Sequence, residues 1–402
     1  MKTFKPKILL IALFVIAILF FSNDLGLLDI EKTAIITAIA IDKEEQDYVV
    51  ACQIAVPEAS NAVSENKKAL ISGKGSTVAN AIKNMGSVSG WFPQTIFCNL
   101  IIVGNSLLEQ DVISVLDYFS KTMRVQDSAQ VILSENNAKD LLNATTPLDN
   151  ISSFAIQKIL LKNPGFDQDV RPVDIKTFCV DYYSYSQSSY MPIVKVLSSE
   201  SSKKENAGEV QGSQDSAQKQ DQGNQSGNKT EDGKYAFDAT TTALFLKGKK
   251  VGELDKPLTN TFNLLTKNIN GTGFGMENVD GVNYLLTVIN GCGNIKVKAD
   301  QNGVTLYTKV KLYCKISDQT DGNPDNKVDT HKPLPTNLIM ATENMFENNI
   351  RELIEVSKNT GCDFLHIKEK LYRFCYPYYH RYKDNYLNNL KLDLQVEVSG
   401  QK

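Results

Sequence analysis

A long polar segment near the middle of the chain limits what the chain can fold into. From Ser198 to Lys234 the sequence consists almost entirely of Ser, Gln, Lys, Glu, Asp, Gly and Asn. Its apolar residues are Ala207, Val210 and Ala217. Such a segment cannot bury enough apolar surface to offset the entropy lost on ordering it. We therefore predict a disordered linker over residues 197–234, between folded parts at residues 30–196 and 235–402.

Composition and charge narrow the class of protein. Of the 402 residues, 42% are hydrophobic and 22% are charged, which is typical of a globular protein with real cores. The net charge is −3 at pH 7, so the chain lacks the basic excess expected of a nucleic-acid-binding protein. It contains three histidines and seven cysteines, none of which forms a Cys-x-x-Cys motif.

The N-terminus has the pattern of a membrane segment. An unbroken apolar run extends from Ile8 to Phe21 and follows three lysines, Lys2, Lys5 and Lys7. The residues after it offer no small-x-small cleavage site, so residues 1–29 are interpreted as an uncleaved signal anchor. The lysines predict that the chain from Asp24 onward lies outside the cytoplasm. A cleaved secretion signal and a buried core helix remain alternatives.

The part before the linker has the pattern of a small α+β domain. Ala34–Ile41 and Tyr48–Val56 read as a hairpin, and Phe97–Val103 as a buried strand. Ser76 is predicted to cap one helix, and the Ser106–Glu109 capping box is predicted to open another. Residues 150–196 are interpreted as part of this domain or, alternatively, as a second small domain.

The part after the linker has the pattern of an α+β domain with an antiparallel sheet. Asn294–Ala299 and the alternating residues from Val304 to Ile316 predict a long hairpin around the turn at Asp300–Gly303. A helix is predicted to end near Gly361, and a second to run from about Asp363 to Phe374. The alternation from Leu390 to Val398 predicts a final strand.

Several residues are of types that occur in catalytic or metal sites, and each of them also has a structural explanation. Gly271–Gly275 lacks the register of a phosphate-binding loop and is interpreted as a turn. The spacing of the Cys and His residues after Gly361 matches no standard zinc site; these are Cys362, His366, Cys375 and His380. Asp363 and Asp393 are the acids considered for catalysis, and a helix cap and a strand surface explain them. The sequence therefore predicts no catalytic residue, no metal ligand and no cofactor.

Aromatic residues form two further features. The single tryptophan lies in the pair Trp91-Phe92, which is interpreted as core and alternatively as an interface anchor. Near the C-terminus six aromatic residues cluster within eleven positions, and they are predicted to pack in the core or to face a membrane or partner. They are Tyr372, Phe374, Tyr376, Tyr378, Tyr379 and Tyr382.

Several segments resemble the Ger(x)C family of spore germination proteins, the C subunits of nutrient germinant receptors. Glu31–Asp42 and Tyr48–Pro57 resemble the start of the mature family proteins. Thr240–Leu254, which contains Ala-Leu-Phe-Leu-Lys-Gly-Lys-Lys-Val-Gly, resembles a hairpin of the family. Gly361-Cys362-Asp363, with the aromatic helix and final strand after it, resembles the C-terminal block. Each motif is structural, and their order and spacing together carry the resemblance.

The resemblance implies a three-domain α+β protein on the outer face of the spore's inner membrane. It implies assembly with two integral membrane subunits, the A- and B-type subunits of the receptor, and no enzymatic chemistry. Family members usually carry a lipidated cysteine at the mature N-terminus. The first cysteine here is Cys52, so a transmembrane anchor would have to replace the lipid.

The predicted fold is therefore α+β and multi-domain, with mixed or antiparallel sheets packed by helices and preceded by one N-terminal membrane segment. The predicted function is that of a non-enzymatic, membrane-anchored subunit of a germinant receptor. An extracytoplasmic cell-wall hydrolase remains an alternative, which a cleft with two facing carboxylates would support. A small-molecule-binding protein remains a second alternative, which a closed apolar pocket with convergent polar groups would support.

Overall fold

The computed structural model consists of two β-sheets with helices packed against them. It describes residues 10–11, 13–16, 33–55, 69–90, 92–121, 125–146, 149, 151–161, 169–198, 235–320 and 333–400. The described strands are β1 (Thr33–Glu44), β2 (Asp47–Ala55), β3 (Ala69–Gly75), β4 (Phe92–Gln94), β5 (Leu100–Val103), β6 (Gln130–Ser134), β7 (Ser188–Ser198), β8 (Tyr235–Leu246), β9 (Lys249–Leu254), β10 (Gly273–Val279), β11 (Val282–Asp300), β12 (Gly303–Thr320) and β13 (Leu390–Gly400). The described helices are α1 (Val78–Ser89), α2 (Ile113–Lys121), α3 (Ala138–Asn143), α4 (Ser152–Leu160), α5 (Ile175–Tyr182), α6 (Lys256–Thr266), α7 (Thr336–Thr360), α8 (Ile367–Phe374) and α9 (Tyr376–Tyr382).

The first sheet is mixed, with parallel strands at its centre. Its strand order is β3-β2-β1-β5-β6-β7-β8-β9, and β4 pairs with the start of β1. Strands β1, β5, β6 and β7 run parallel, whereas β2–β3 and β8–β9 add antiparallel pairs at the two sides. The predicted hairpin of β1 and β2 is confirmed.

The central strands are buried on both faces. All four residues of β5 are buried; Ile101 and Val103 belong to one core, while Leu100 and Ile102 belong to the other. A strand covered on both faces needs a continuous apolar run rather than an alternating one, and Leu100–Val103 has that composition. Helices α3 and α4 cover the second face.

Two predicted helix starts differ from the structure. Helix α1 is capped by Thr77, whose side chain accepts a hydrogen bond from the Asn80 N–H, rather than by Ser76. Ser106 does not open a helix, because its hydroxyl accepts the Lys43 backbone N–H at 2.8 Å and the chain there forms a short 3-10 turn. Helix α2 begins only at Ile113, where the Asp111 carboxylate accepts the first N–H at 2.9 Å.

The second sheet has the order β10-β11-β12-β13. The long hairpin predicted around Asp300–Gly303 is confirmed, with Ala299 paired to Val304. The prediction of an antiparallel sheet was wrong for its last strand, because β13 runs parallel to β12 from Leu390 to Gly400. Helices α7, α8 and α9 lie between β12 and β13 in the chain, and a crossover of this length permits a parallel strand. Helix α7 packs against β13 and α6.

The strands on either side of the predicted linker pair with each other. Ser198 at the end of β7 is opposite Tyr235 at the start of β8, and residues 199–234 lie outside the described residues. The first sheet therefore continues across the predicted boundary, and β7, from the proposed small domain at 150–196, is one of its strands. One apolar core also joins the two sheets. The division into domains stays a prediction.

Most of the predicted anchor, including Ile8 and Phe21, lies outside the described residues. Residues 10–11 and 13–16 are helical. Within the part of the chain that the structure describes, no helix is both long and apolar enough to cross a membrane.

Candidate functional site

The four Cys and His residues after Gly361 have separate partners. The Cys362 thiol donates to the Phe245 carbonyl at 3.3 Å, and the Cys375 thiol donates to the Val297 carbonyl at 3.5 Å. His366 lies beside Asp181, and His380 packs against the rings of Tyr376 and Tyr379. Among the described residues, no group of three or more His, Cys, Asp or Glu side chains is placed to hold a metal ion.

Asp363 organises the turn between α7 and α8. Its side chain is fully buried and accepts the N–H groups of Ile367 and Lys368 at 2.8 Å each. It also accepts the Tyr386 hydroxyl at 2.9 Å, and its own N–H donates to Ser188 at the start of β7. Burial raises the pKa of Asp363 to about 7 in spite of these donors. Helix α8 itself begins at Ile367, later than predicted, and Asp393 is exposed on β13.

His366 lies where the first sheet and helix α8 meet. Its backbone is in the left-handed region, with a φ of 53°, which a non-glycine residue adopts only when its surroundings fix it. Its Nε2 is 3.4 Å from Asp181 Oδ1, and its Nδ1 is 3.7 Å from Glu369 Oε2. The other Glu369 oxygen accepts the Ser186 N–H at 2.7 Å. These contacts connect α8 to α5 and to the loop that leads into β7.

Burial has the largest effect on the pKa values of Asp181 and His366. Burial, followed by the nearby charge of Glu369, raises the pKa of Asp181 to about 7, while Arg171 acts in the opposite direction. Burial also lowers the pKa of His366 below its ordinary value. Among the described residues, Asp181 Oδ2 and Glu369 Oε2 have no hydrogen-bond partner.

Arg171 is a buried cation whose charge acts on Asp181, and the sequence reasoning missed it. The residue is 6% exposed, and its guanidinium lies 4.3 Å from the Phe262 ring centre. It donates to Thr266 at 2.8 Å and to the Tyr190 hydroxyl at 3.0 Å. Arg171 thus connects the segment before α5 to helix α6, which follows residues 199–234 in the sequence.

We call Asp181, His366, Glu369 and Arg171 the junction cluster. Sequence reasoning found His366 and did not find the other three. Asp181 follows Phe178 by three positions on the buried face of α5. This spacing was the one local pattern from which a buried carboxylate at position 181 could have been predicted. In the described geometry the cluster joins α5, α8 and the loop before β7, and the side chains of His366 and Glu369 remain partly exposed.

The predicted aromatic run divides between core and surface. Tyr379 and Tyr382 are buried, whereas Tyr372 and Tyr376 are 37% and 53% exposed. The Tyr372 ring lies 4.5 Å from that of Tyr185, which is 49% exposed, and 5.5 Å from that of Tyr376. We call Tyr185, Tyr372 and Tyr376 the tyrosine patch. Trp91 and the side chain of Phe92 lie outside the described residues.

A polar cleft of about 350 Å³ adjoins the tyrosine patch. It is lined by Tyr185, by the turn after β8 and by the segment after α9. Its charged lining residues are Lys247, Lys358, Lys368, Lys383 and Asp384. We call it the lysine cleft. It brings together four cations from four separate parts of the sequence, which no local motif indicates.

A more apolar cavity of about 250 Å³ lies between α6, α7 and β10. Phe274, Met345 and Phe346 line it, together with Asn260 and Asn349. Gly273 and Gly275, from the glycine-rich segment at 271–275, belong to its rim and to β10. The segment was interpreted as a turn, but from Gly273 onward it is part of strand β10. A phosphate loop would lead into a helix N-terminus, and this segment leads into a strand.

Comparison with known proteins gives consistent results along the chain. Residues 28–196 match the family model of the spore germination protein N-terminal domain, and residues 240–400 match that described as spore germination B3/GerAC like, C-terminal. The solved structure "Crystal Structure of the GerBC protein" resembles the fold with a TM-score of 0.52 at 15% identity, over 90% of this chain and 97% of that chain. The curated proteins gave no match. The two family models together cover most of the sequence, and this chain belongs to the Ger(x)C family of spore germination proteins.

Proposed function

We propose that this chain is a non-enzymatic, membrane-anchored C-type subunit of a spore nutrient germinant receptor. The observation that carries the proposal is the succession of the two family models, over residues 28–196 and 240–400. The subunit acts by binding, through the surfaces of its two sheets and their helices. Its partners are the integral membrane A- and B-type subunits, and it lies on the outer face of the spore's inner membrane.

The apolar run Ile8–Phe21, with lysines before it, supports attachment by a retained anchor. The first cysteine is Cys52, and it lies within β2. Intact-mass measurement of the protein extracted from spore membranes tests this part. A mass that includes residues 1–22 supports the anchor, whereas a mature chain beginning near Asn23 would overturn it.

The contacts of the junction cluster and of Asp363 support a role without bond-making chemistry. Asp181 and Arg171 are buried, and Asp363 uses both carboxylate oxygens to hold backbone N–H groups. We expect Asp363→Asn and His366→Ala to impair germination only as far as they lower stability or abundance. Loss of germination by folded protein at normal abundance would point to a chemical site and contradict the proposal.

Deletion in spores tests the function directly. Without the chain, spores should lose the response to the nutrients that this receptor senses, and germination by routes that bypass receptors should be unchanged. Solubilised wild-type protein should copurify with the A- and B-type subunits. Unchanged nutrient response in the deletion strain would contradict the role, and purification without those subunits would contradict the partners.

A small-molecule-binding role is the second candidate, because one cavity favours it. The cavity beside Phe274, Met345 and Phe346 has an apolar wall and two asparagine amides near it. If it holds a ligand, Phe346→Ala should abolish the thermal stabilisation by that ligand. The hydrolase alternative rests on a third cleft of about 320 Å³, which is lined by the two carboxylates of Glu135 and Asp140. It has less support, because Glu135 is paired with Lys195 at 3.0 Å and Asp140 accepts the Asn137 amide at 3.3 Å.

A further inference from the structure

We propose that the tyrosine patch and the lysine cleft dock against the anionic lipid surface of the membrane in which the chain is anchored. The inference rests on the proposed function for the anchor and adds a second contact between the exterior part and the lipid. The recognised chemistry is a phosphate headgroup, supplied by the bilayer, with tyrosine rings at the level of the headgroups.

The sheet topology places both features at the end of the molecule where the chain enters. Ala38 of β1 is level with Leu100, Leu100 is level with Gln130, and the pairing of Leu133 with Ile193 makes Tyr190 level with Gln130. These strands are parallel, so the starts of β1 and β7 lie at one edge of the sheet. Three strand spacings separate them, which is about 14 Å.

Tyr185 precedes the first residue of β7 by three positions and therefore lies at this entry edge. Lys247 lies there too, because it follows Leu246, which pairs with Ser188. Residues 22–32 separate the proposed anchor from β1, and eleven residues span at most about 40 Å. The tyrosine patch is thus held within reach of the membrane surface.

The chemistry of the surface fits an anionic membrane. Tyrosine is enriched at membrane interfaces because one end of its ring is apolar and the other is polar. Arg373 and Arg381 are exposed on α8 and α9, and the lysine cleft adds Lys247, Lys368 and Lys383 beside the carboxylate of Asp384. The fourth lysine of the cleft, Lys358, is paired with Glu355 at 2.7 Å. Lysine and arginine side chains within about a Debye length of an anionic bilayer are attracted to its surface.

The opposite edge of the first sheet carries charges of both signs. The turn between β1 and β2 lies there with Glu44, Glu45 and Asp47, and Lys74 lies 3.4 Å from Glu44. Glu135, directly after β6, lies at the same edge and is paired with Lys195 at 3.0 Å. The orientation therefore rests on attraction at the entry edge, where the tyrosine patch and the lysine cleft lie.

A fluorescent probe on the full chain tests the contact. All seven cysteines lie in the described residues, and Cys292 is the exposed one, so it serves as the reference position for a thiol-reactive probe. The second position is Tyr376→Cys in a Cys292→Ser background. Each labelled chain is reconstituted into phosphatidylcholine vesicles with or without phosphatidylglycerol, containing a lipid that quenches the probe. We expect stronger quenching at position 376 than at 292, only with phosphatidylglycerol present.

Charge-reversal variants show whether the lysine cleft is responsible. Lys247→Glu with Lys383→Glu should reduce quenching at position 376 to the level at 292. The matched control is Lys139→Glu with Lys315→Glu, which changes two lysines away from the entry edge and should leave quenching unchanged. Circular dichroism and thermal unfolding verify that both variants are folded. Equal effects of the two pairs would overturn the assignment of the cleft.

Other outcomes separate this inference from the proposed function. Resistance to alkaline carbonate reports the anchor independently, so an anchored chain without quenching at 376 overturns the lipid contact alone. Protection of position 376 only when the A- and B-type subunits are present would assign the patch to a protein partner and overturn the inference. Loss of the quenching at position 376 when free inorganic phosphate is added to vesicles that contain phosphatidylglycerol, at constant ionic strength, would assign the cleft to a soluble anion and overturn it as well.

Discussion

The two sheets of this protein bury their strands in different ways. In the first sheet, neighbouring residues Ile101 and Ile102 of β5 are both fully buried, each in a different core. In the second sheet, Leu312 of β12 is buried while its neighbour Lys311 is exposed. The comparison teaches that the same extended backbone tolerates polar residues at alternate positions only where one face of the sheet meets water.

The difference follows from what covers each sheet. Helices α3 and α4 cover one face at the centre of the first sheet, and the core that includes α1, α2, α5 and α6 covers the other. The second sheet places one face on that same core and alternates along β11 and β12. Asp363 and the junction cluster attach the helices that lie between β12 and β13 in the chain to α5 and to the start of β7 in the first sheet.

The largest expected effect comes from truncating single buried residues of the two sheets. Ile101→Ala and Ile102→Ala should each lower the free energy of unfolding by about 2–5 kcal/mol, because each opens a cavity in a packed core. In β12, Leu312→Ala should have a cost in the same range, whereas Lys311→Ala should change stability by about 0.5 kcal/mol or less. Denaturant unfolding of the four variants measures this. A small cost at either isoleucine would contradict burial on both faces.

Asp363 tests the connection between the sheets. Asp363→Ala leaves two buried N–H groups and the Tyr386 hydroxyl without an acceptor, so we expect a loss of about 1–3 kcal/mol or more. The matched control, Asp393→Ala, removes an exposed carboxylate on β13 and should be nearly neutral. Equal stability of the two variants would show that the turn after α7 does not depend on Asp363.

The pH dependence of stability sharpens the assignment of the junction cluster. The pKa of Asp181 is raised in the folded state to about 7, so its favourable contribution is full below pH 4 and is lost as pH rises through 7. Asp181→Asn should remove a downward slope of up to about 1.4 kcal/mol per pH unit between those values. His366 has the opposite sign, because its pKa is lowered and its contribution is lost as pH falls below about 6.5. Urea unfolding from pH 4 to 8 measures both slopes, and identical slopes for wild type and Asp181→Asn would refute the assignment.

The smallest expected effect concerns residues 199–234, which connect β7 to β8 in the sequence. Deleting residues 208–225 should raise the unfolding free energy by only about 0.6 kcal/mol, because halving the length of a loop slightly lowers the entropy cost of closing it. Limited proteolysis should cut this segment first. The two fragments should then co-elute, since β7 and β8 pair on either side of the cut. Fragments that separate as independently folded halves would restore the predicted domain boundary, and loss of cooperative unfolding on deletion would show that the segment is structural.

Local patterns in the sequence predicted individual elements well. The hairpin around Asp300–Gly303 and the helix ending at Gly361 were predicted because alternation and a left-handed glycine are local properties of the chain. The prediction failed at Ser106, where a contact with Lys43, distant in the sequence, replaced a helix cap. It also failed for the direction of β13, which depends on where the chain returns after α9.

The candidate sites also divide into features that the sequence predicts and features that depend on the tertiary structure. The sequence by itself determined the family, the mixed α+β character and the residues His366 and Asp363 as positions of interest. Only the tertiary structure decided that His366 contacts Asp181, that Arg171 stacks on Phe262, and that Lys247 and Lys383 line one cleft. Burial, charge pairing and surface clustering depend on distances between residues far apart in the chain, and no local periodicity encodes those distances.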